Sequence, residues 1–157
     1  MKRWSAVFSI GLLLLLSGCS FLGSAYDTLD YARDASSYLD KVTQFAEETP
    51  ALVKRAVENE QAAEELKKTL QQMKKEITQF NDLNVPDTVK DIHQQLIEEN
   101  NRLLTQIDLY LSKLQNGLLD PSILENNQLL QPIQQITNTI QQIQNLKDQI
   151  NETLSGA

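Results

Sequence analysis

Reactive side chains are scarce in this chain of 157 residues, and the two most versatile occur once each, as Cys19 and His93. Cys19 closes the tetrapeptide Leu16-Ser17-Gly18-Cys19. A thiol becomes a strong nucleophile on losing its proton, and small residues before it let the backbone enter a peptidase cleft in extended form. A single cysteine cannot close an intramolecular disulfide, and with one histidine the chain cannot assemble four Cys/His ligands around zinc; no metal site is expected. His93 has Asp91 and Glu98 nearby to orient it, but nothing to activate: no serine sits in a Gly-x-Ser-x-Gly turn, and Gly23, Gly117 and Gly156 build no phosphate loop. The carboxylate pairs Glu47/Glu48, Glu64/Glu65 and Glu98/Glu99 are sequence neighbours, which point about 100° apart on a helix and make no catalytic dyad. These residues predict no catalytic centre, no cofactor and no enzyme.

The setting of Cys19 predicts an address. Met1-Lys2-Arg3 is followed by an apolar run from Ala6 to Leu16, including five consecutive leucines, Leu12 to Leu16. This largely apolar run of eleven residues falls within the roughly 7 to 15 of a secretory h-region and short of the roughly 20 that span a bilayer. Leu16-Ser17-Gly18-Cys19 resembles the bacterial lipobox at all four positions. That resemblance implies a cysteine alkylated with diacylglycerol, cleavage just before it, and further acylation by a fatty acid such as palmitate. Two acyl chains at about 0.8 kcal/mol per buried CH₂ hold a protein to a membrane, whereas one is marginal. The competing expectation is an uncleaved signal anchor, because Trp4 to Tyr26 carries no charge; Gly11, Gly18, Gly23 and five serines argue against a continuous spanning helix. Either way Lys2 and Arg3 hold the N-terminus inside, and the bulk of the chain lies outside the cytoplasm.

Elements must then be found to carry His93 and its neighbours. Removal of residues 1–18 takes away Lys2 and Arg3 and moves the formal charge from −7 to −9. So acidic a chain lacks the cationic surplus that nucleic acid binding needs. Three glycines and four prolines remain, without alternating β-branched runs, so helices are expected throughout. Tyr31, Ala35, Tyr38, Val42 and Phe45 mark a first helix over about 24–48, with Thr49-Pro50 opening a short second piece to about 58. Ala63, Leu66, Leu70, Met73, Ile77 and Phe80 make the clearest stripe, on a helix over about 61–81. A third runs from about Asp87 to Asn116, capped by Gly117, with Val89, His93, Leu96, Asn100, Leu103, Ile107, Tyr110 and Leu114 on its seam. Asp120-Pro121 starts another short piece, and a last helix from about Pro132 presents Ile133, Ile136, Ile140, Ile143, Ile150 and Leu154. The fold class is all-α: an antiparallel bundle of about four long helices with short connecting ones, behind a signal peptide. The domain plan is a signal segment at 1–18, a lipidated tether at 19–23 and a helical domain at 24–157. An intermolecular coiled coil is the other way to use such stripes, but proline and glycine breaks let the chain fold back on itself.

Within that plan the polar seam positions admit two roles. His93 is most simply a boundary histidine, and Asn100, seven residues on, a buried amide that fixes helix register. With Tyr110 they alternatively line a cavity for a small apolar or amphipathic ligand. Lys67, Lys68, Lys74 and Lys75 lie opposite the second helix's stripe, as a solvated back with Glu64 and Lys68 paired, or facing anionic headgroups. From Pro121 onward 13 of 37 residues are Gln or Asn and only four are charged, a low-charge face that suits docking to a partner.

Taken together, Leu16 to Gly23, the Ala46-Glu47-Glu48-Thr49-Pro50-Ala51-Leu52 link, Asp91-Ile92-His93-Gln94-Gln95 and the Leu/Gln/Ile-rich C-terminal helix resemble the small helical lipoproteins of Bacillus-type bacteria, a family of unknown function. The resemblance implies a lipid anchor at the outer face of the cell membrane and no catalytic residue. The expected partners are that membrane, through Cys19, and an unidentified protein, with no nucleic acid.

Overall fold

The structure, a computed structural model, describes residues 18–126 and 128–155, with the side chains of 18–24, 115, 125, 126 and 154 excepted. Residues 1–17 of the expected signal segment, Leu16 and Ser17 among them, lie outside the described residues. Four long helices carry the fold: α1 (Gly18–Ala56), α2 (Glu60–Asn81), α3 (Lys90–Ser112) and α4 (Gln131–Ser155). Helix α1 packs on α2 and α4, and α3 packs on the same two, so α1 and α3 face each other across the centre. Ion pairs and one amide hydrogen bond fix the directions. Lys41–Glu76 at 2.6 Å and Arg55–Glu65 at 3.7 Å set α2 antiparallel to α1, and Lys74–Asp108 at 2.6 Å with Asn81–Asn100 at 2.6 Å set α3 antiparallel to α2. The all-α antiparallel bundle expected from periodicity is the fold. Every seam residue named above on α2 is buried, as are Tyr31, Ala35, Tyr38, Val42 and Phe45 of α1 and Ile133, Ile136, Ile140 and Ile143 of α4.

Three local expectations are corrected. The first helix does not stop before Pro50; it runs from Gly18 to Ala56 with the proline inside. The reason is phase: Val42, Phe45, Thr49, Leu52 and Ala56 continue one buried stripe at steps of three and four, and ending the helix would leave Leu52, Val53 and Ala56 uncovered. Pro50 has no N–H for the Ala46 carbonyl, and the Thr49 hydroxyl beside it is buried without a hydrogen-bond partner, so the continuity is bought with local polar losses. The helix also takes in residues 19–23, the stretch expected to act as a tether.

The third helix ends at Ser112, not Asn116, and begins after a 3-10 turn at Asp87–Val89. Beyond it comes a hairpin, β1 (Leu114–Gln115) against β2 (Leu118–Leu119), in the register Leu114↔Leu119 and Gln115↔Leu118. Asn116 and Gly117 take φ of 53° and 82°, the two positive values a type I′ turn requires. Here Gly117 serves as the turn's second residue and not as a helix cap. The Asn-Gly dipeptide between leucines was the available signal, masked by the longer helical stripe that runs into it. The short piece after Asp120 is a 3-10 helix, Pro121–Asn126, begun by the Asp120 carboxylate accepting from the Ser122 amide at 2.9 Å. Leu119, Ile123 and Leu129 turn inward and close this end of the core. Helix α2 is started by Asn59, whose side chain accepts from the Ala62 amide at 2.8 Å.

Candidate functional site

The polar seam residues of α3 meet α1 across the bundle. Tyr31 and Tyr38 stand two turns apart on α1, and His93 and Asn100 two turns apart on α3. The two pairs share one offset of 62 residues. Tyr31 Oη lies 2.9 Å from His93 Nδ1, and Tyr38 Oη donates to Asn100 Oδ1 at 2.6 Å. The end of α2 completes the arrangement: Asn100 Nδ2 donates to Asn81 Oδ1 at 2.6 Å, and His93 Nε2 lies 3.4 Å from the Asn81 carbonyl. Phe80 fills the middle, stacked on Tyr38 with centroids 4.2 Å apart and planes within 12°, and tilted against His93 at 5.4 Å. Below it, Thr28 and Thr88 share a hydroxyl contact at 2.7 Å.

These bonds set the protonation. The Asn81 carbonyl only accepts, so His93 Nε2 carries the hydrogen, Nδ1 is the acceptor and Tyr31 donates to it. Burial lowers the His93 pKa below the ordinary imidazole value, opposed by the Asn81 carbonyl. Burial likewise raises both tyrosines well above the usual phenol range, so neither serves as a base. Tyr31, Tyr38, His93 and Asn100 are each no more than 5% exposed. They bond to one another and to Asn81, and Tyr31 borders a surface depression of about 290 Å³ with Asp27, Asp30, Asp34, Asn84 and Pro86. The arrangement positions helices; it offers no nucleophile and no open coordination position.

Tyr110 does not join His93 and Asn100. It is buried further along α3, about 15 Å from Asn100 at 1.5 Å per residue, with burial raising its pKa. The three expected ligand contacts therefore do not line one cavity. In the sequence Tyr31 and Tyr38 read as members of an amphipathic stripe and Asn81 carries no local mark; the available signal is that a phenol at a buried position needs a partner. Among the described residues no group of three or more His, Cys, Asp or Glu is placed to hold a metal ion. Gly18 and Cys19 contribute backbone to the first turn of α1.

The open depressions lie on the surface. A groove of about 460 Å³ between α1 and α2 is floored by Phe45 and Met73 and edged by Lys41, Glu48, Lys68 and Glu76. The Lys41 ammonium holds Glu76 below the usual carboxylate range and crosses this groove at 2.6 Å. A second, of about 410 Å³ between α3 and α4, is lined by Gln106, Gln128, Gln131, Gln134 and Gln135. Lys67, Lys68, Lys74 and Lys75 are exposed, as expected of a solvated helix back, but Glu64 pairs with Lys67 at 3.9 Å in place of Lys68. No described helix is long and apolar enough to cross a membrane.

A protein family whose description is "family of unknown function", DUF6376, matches residues 31–146, from Tyr31 of α1 to Leu146 of α4. The chain is 35% identical over 134 residues to the uncharacterized lipoprotein YybP of Bacillus subtilis (strain 168), covering 85% of this chain and 90% of that protein. No solved structure matches the chain.

Proposed function

This chain belongs to the DUF6376 family of unknown function, and from that membership we propose that it is a lipoprotein, held at the outer face of the bacterial cell membrane by a diacylglyceryl group on Cys19, whose helical domain works by contact and not by catalysis. The observation that carries the anchor is Leu16-Ser17-Gly18-Cys19 in a chain 35% identical to a protein named as a lipoprotein. Contact is favoured over carriage of a small ligand because His93 and Asn100 spend their polar atoms on Tyr31, Tyr38 and Asn81, while Tyr110 packs elsewhere. The partner is a protein, met on the low-charge amide face of α4 or the groove beside Phe45 and Met73, and the means of finding it is crosslinking in the cell. Catalysis is disfavoured because Tyr31, Tyr38 and His93 are each no more than 5% exposed and are hydrogen-bonded within the core.

The anchor is tested by fatty-acid labelling and intact mass. The wild-type protein is expected to incorporate label and to begin at Cys19; Cys19→Ala is expected to take none and to keep residues 1–18. A wild-type chain of full length, membrane-bound and without label, overturns the lipoprotein reading in favour of a signal anchor.

A further inference from the structure

Helix α1 runs without interruption from the turn containing Cys19 into the core, where Ala25 and Thr28 are already buried. No linker separates the proposed lipid attachment point from the bundle. Residues 19–26 carry no charge, and the first charged side chain is Asp27, followed by Asp30, Arg33 and Asp34, all exposed. Tyr26 stands at that boundary and is 60% exposed, against 39% for Leu109 and 43% for Leu124, the other large apolar side chains left open among the described residues. A ring with an apolar body and a polar tip belongs at the headgroup level of a bilayer, where tyrosine and tryptophan concentrate. Two helical turns separate Cys19 from Tyr26, about 10 Å at 1.5 Å per residue, enough to cross the headgroup layer of one leaflet, about 5–8 Å, and bring Tyr26 to its water edge.

Resting on the lipoprotein reading, we propose that the first two turns of α1 lie in the headgroup layer of the outer leaflet, that Tyr26 seats them there, and that water begins at Asp27. Three exposed aspartates immediately above would resist further approach to an anionic surface. The bundle then stands on a rigid stem, with the Asn116-Gly117 hairpin and the α1–α2 turn held outward, about 45 Å along α1 from Tyr26.

The only tryptophan of the chain is Trp4, within the signal segment, so an introduced indole reports cleanly on its own position. In a Trp4→Phe background, Tyr26→Trp and Leu124→Trp are compared as purified membrane-extracted proteins, reconstituted in phosphatidylglycerol/phosphatidylethanolamine vesicles containing a headgroup spin-labelled lipid. Leu124, in the 3-10 segment after the hairpin, marks the far end. Intact mass first establishes that Cys19 is lipid-modified. The expected result is at least threefold stronger quenching for Tyr26→Trp than for Leu124→Trp, with emission at shorter wavelength. Equal quenching of both in lipid-modified protein overturns the seated stem and leaves the lipoprotein reading intact. An unmodified mass overturns both.

Discussion

At the residue scale the informative groups are the polar ones in the core. Asn100 is fully buried, and its amide is satisfied at both atoms, by Tyr38 and by Asn81. Removing one partner of such a pair leaves a desolvated acceptor behind. Tyr38→Phe is therefore expected to destabilise the domain by about 1–3 kcal/mol, measured by urea denaturation. The double variant Tyr38→Phe/Asn100→Leu is expected to cost less than the sum of its single variants, since the loss of the Tyr38–Asn100 bond is then counted once, while Asn81 loses its Asn100 donor in the single and the double variant alike. Equal additive losses would mean that the two side chains are not coupled. The sequence already singled out His93 and Asn100 as polar positions seven residues apart on one stripe. Their tyrosine partners share that spacing on another helix, but nothing local says that the two stripes lie opposite each other.

At the scale of elements, proline and glycine mark positions whose meaning depends on what surrounds them. Pro50 reads as a helix start when only its neighbours are considered, yet the stripe Val42, Phe45, Thr49, Leu52 and Ala56 keeps α1 intact through it. Several buried apolar side chains at about 1.5–3 kcal/mol each outweigh the roughly 3 kcal/mol of an interior proline. Gly117 reads as a helix cap but serves a type I′ turn at φ 82°, where a Cβ would meet only the Glu60 side chain at ordinary contact, 3.5 Å. Gly117→Ala is expected to cost about 1–2 kcal/mol from backbone conformation alone, seen as a lower melting temperature, whereas Asn116→Gly is expected to be close to neutral. A neutral Gly117→Ala would mean that the hairpin does not contribute to closing the core over Leu119.

For the whole molecule, the buried Tyr31–His93 pair makes stability depend on proton concentration. The folded state holds His93 neutral, with its pKa lowered by burial, while the unfolded chain titrates near 6.5. Below that value the unfolded state binds more protons, so stability is full above about pH 6.5 and falls as the pH drops through and below it. Between about pH 7.5 and 5.5, above the carboxylate range, the melting temperature of the wild type is expected to decline with acidification. In His93→Gln, referred to its own value at pH 7.5, that decline is expected to flatten. An unchanged slope would assign the pH dependence to other groups.

The sequence by itself determined the helices, their buried stripes, the acidic character of the domain and the lipobox-like start, because each is encoded by spacing or by a contiguous motif. Hydrophobic periodicity is local information: Leu66, Leu70, Met73 and Ile77 mark one face of a helix whatever packs on it. Tertiary structure alone decided which stripes meet. It placed α1 diagonal to α3, so that two tyrosines rather than a ligand satisfy His93 and Asn100, and it sent Tyr110 to a separate part of the core. It also decided that Pro50 does not end a helix and that α1 runs unbroken from the turn of Cys19 into the bundle. The physical reason is that a stripe records which residues avoid water, while pairing depends on the summed fit of four helices, a property no single segment contains.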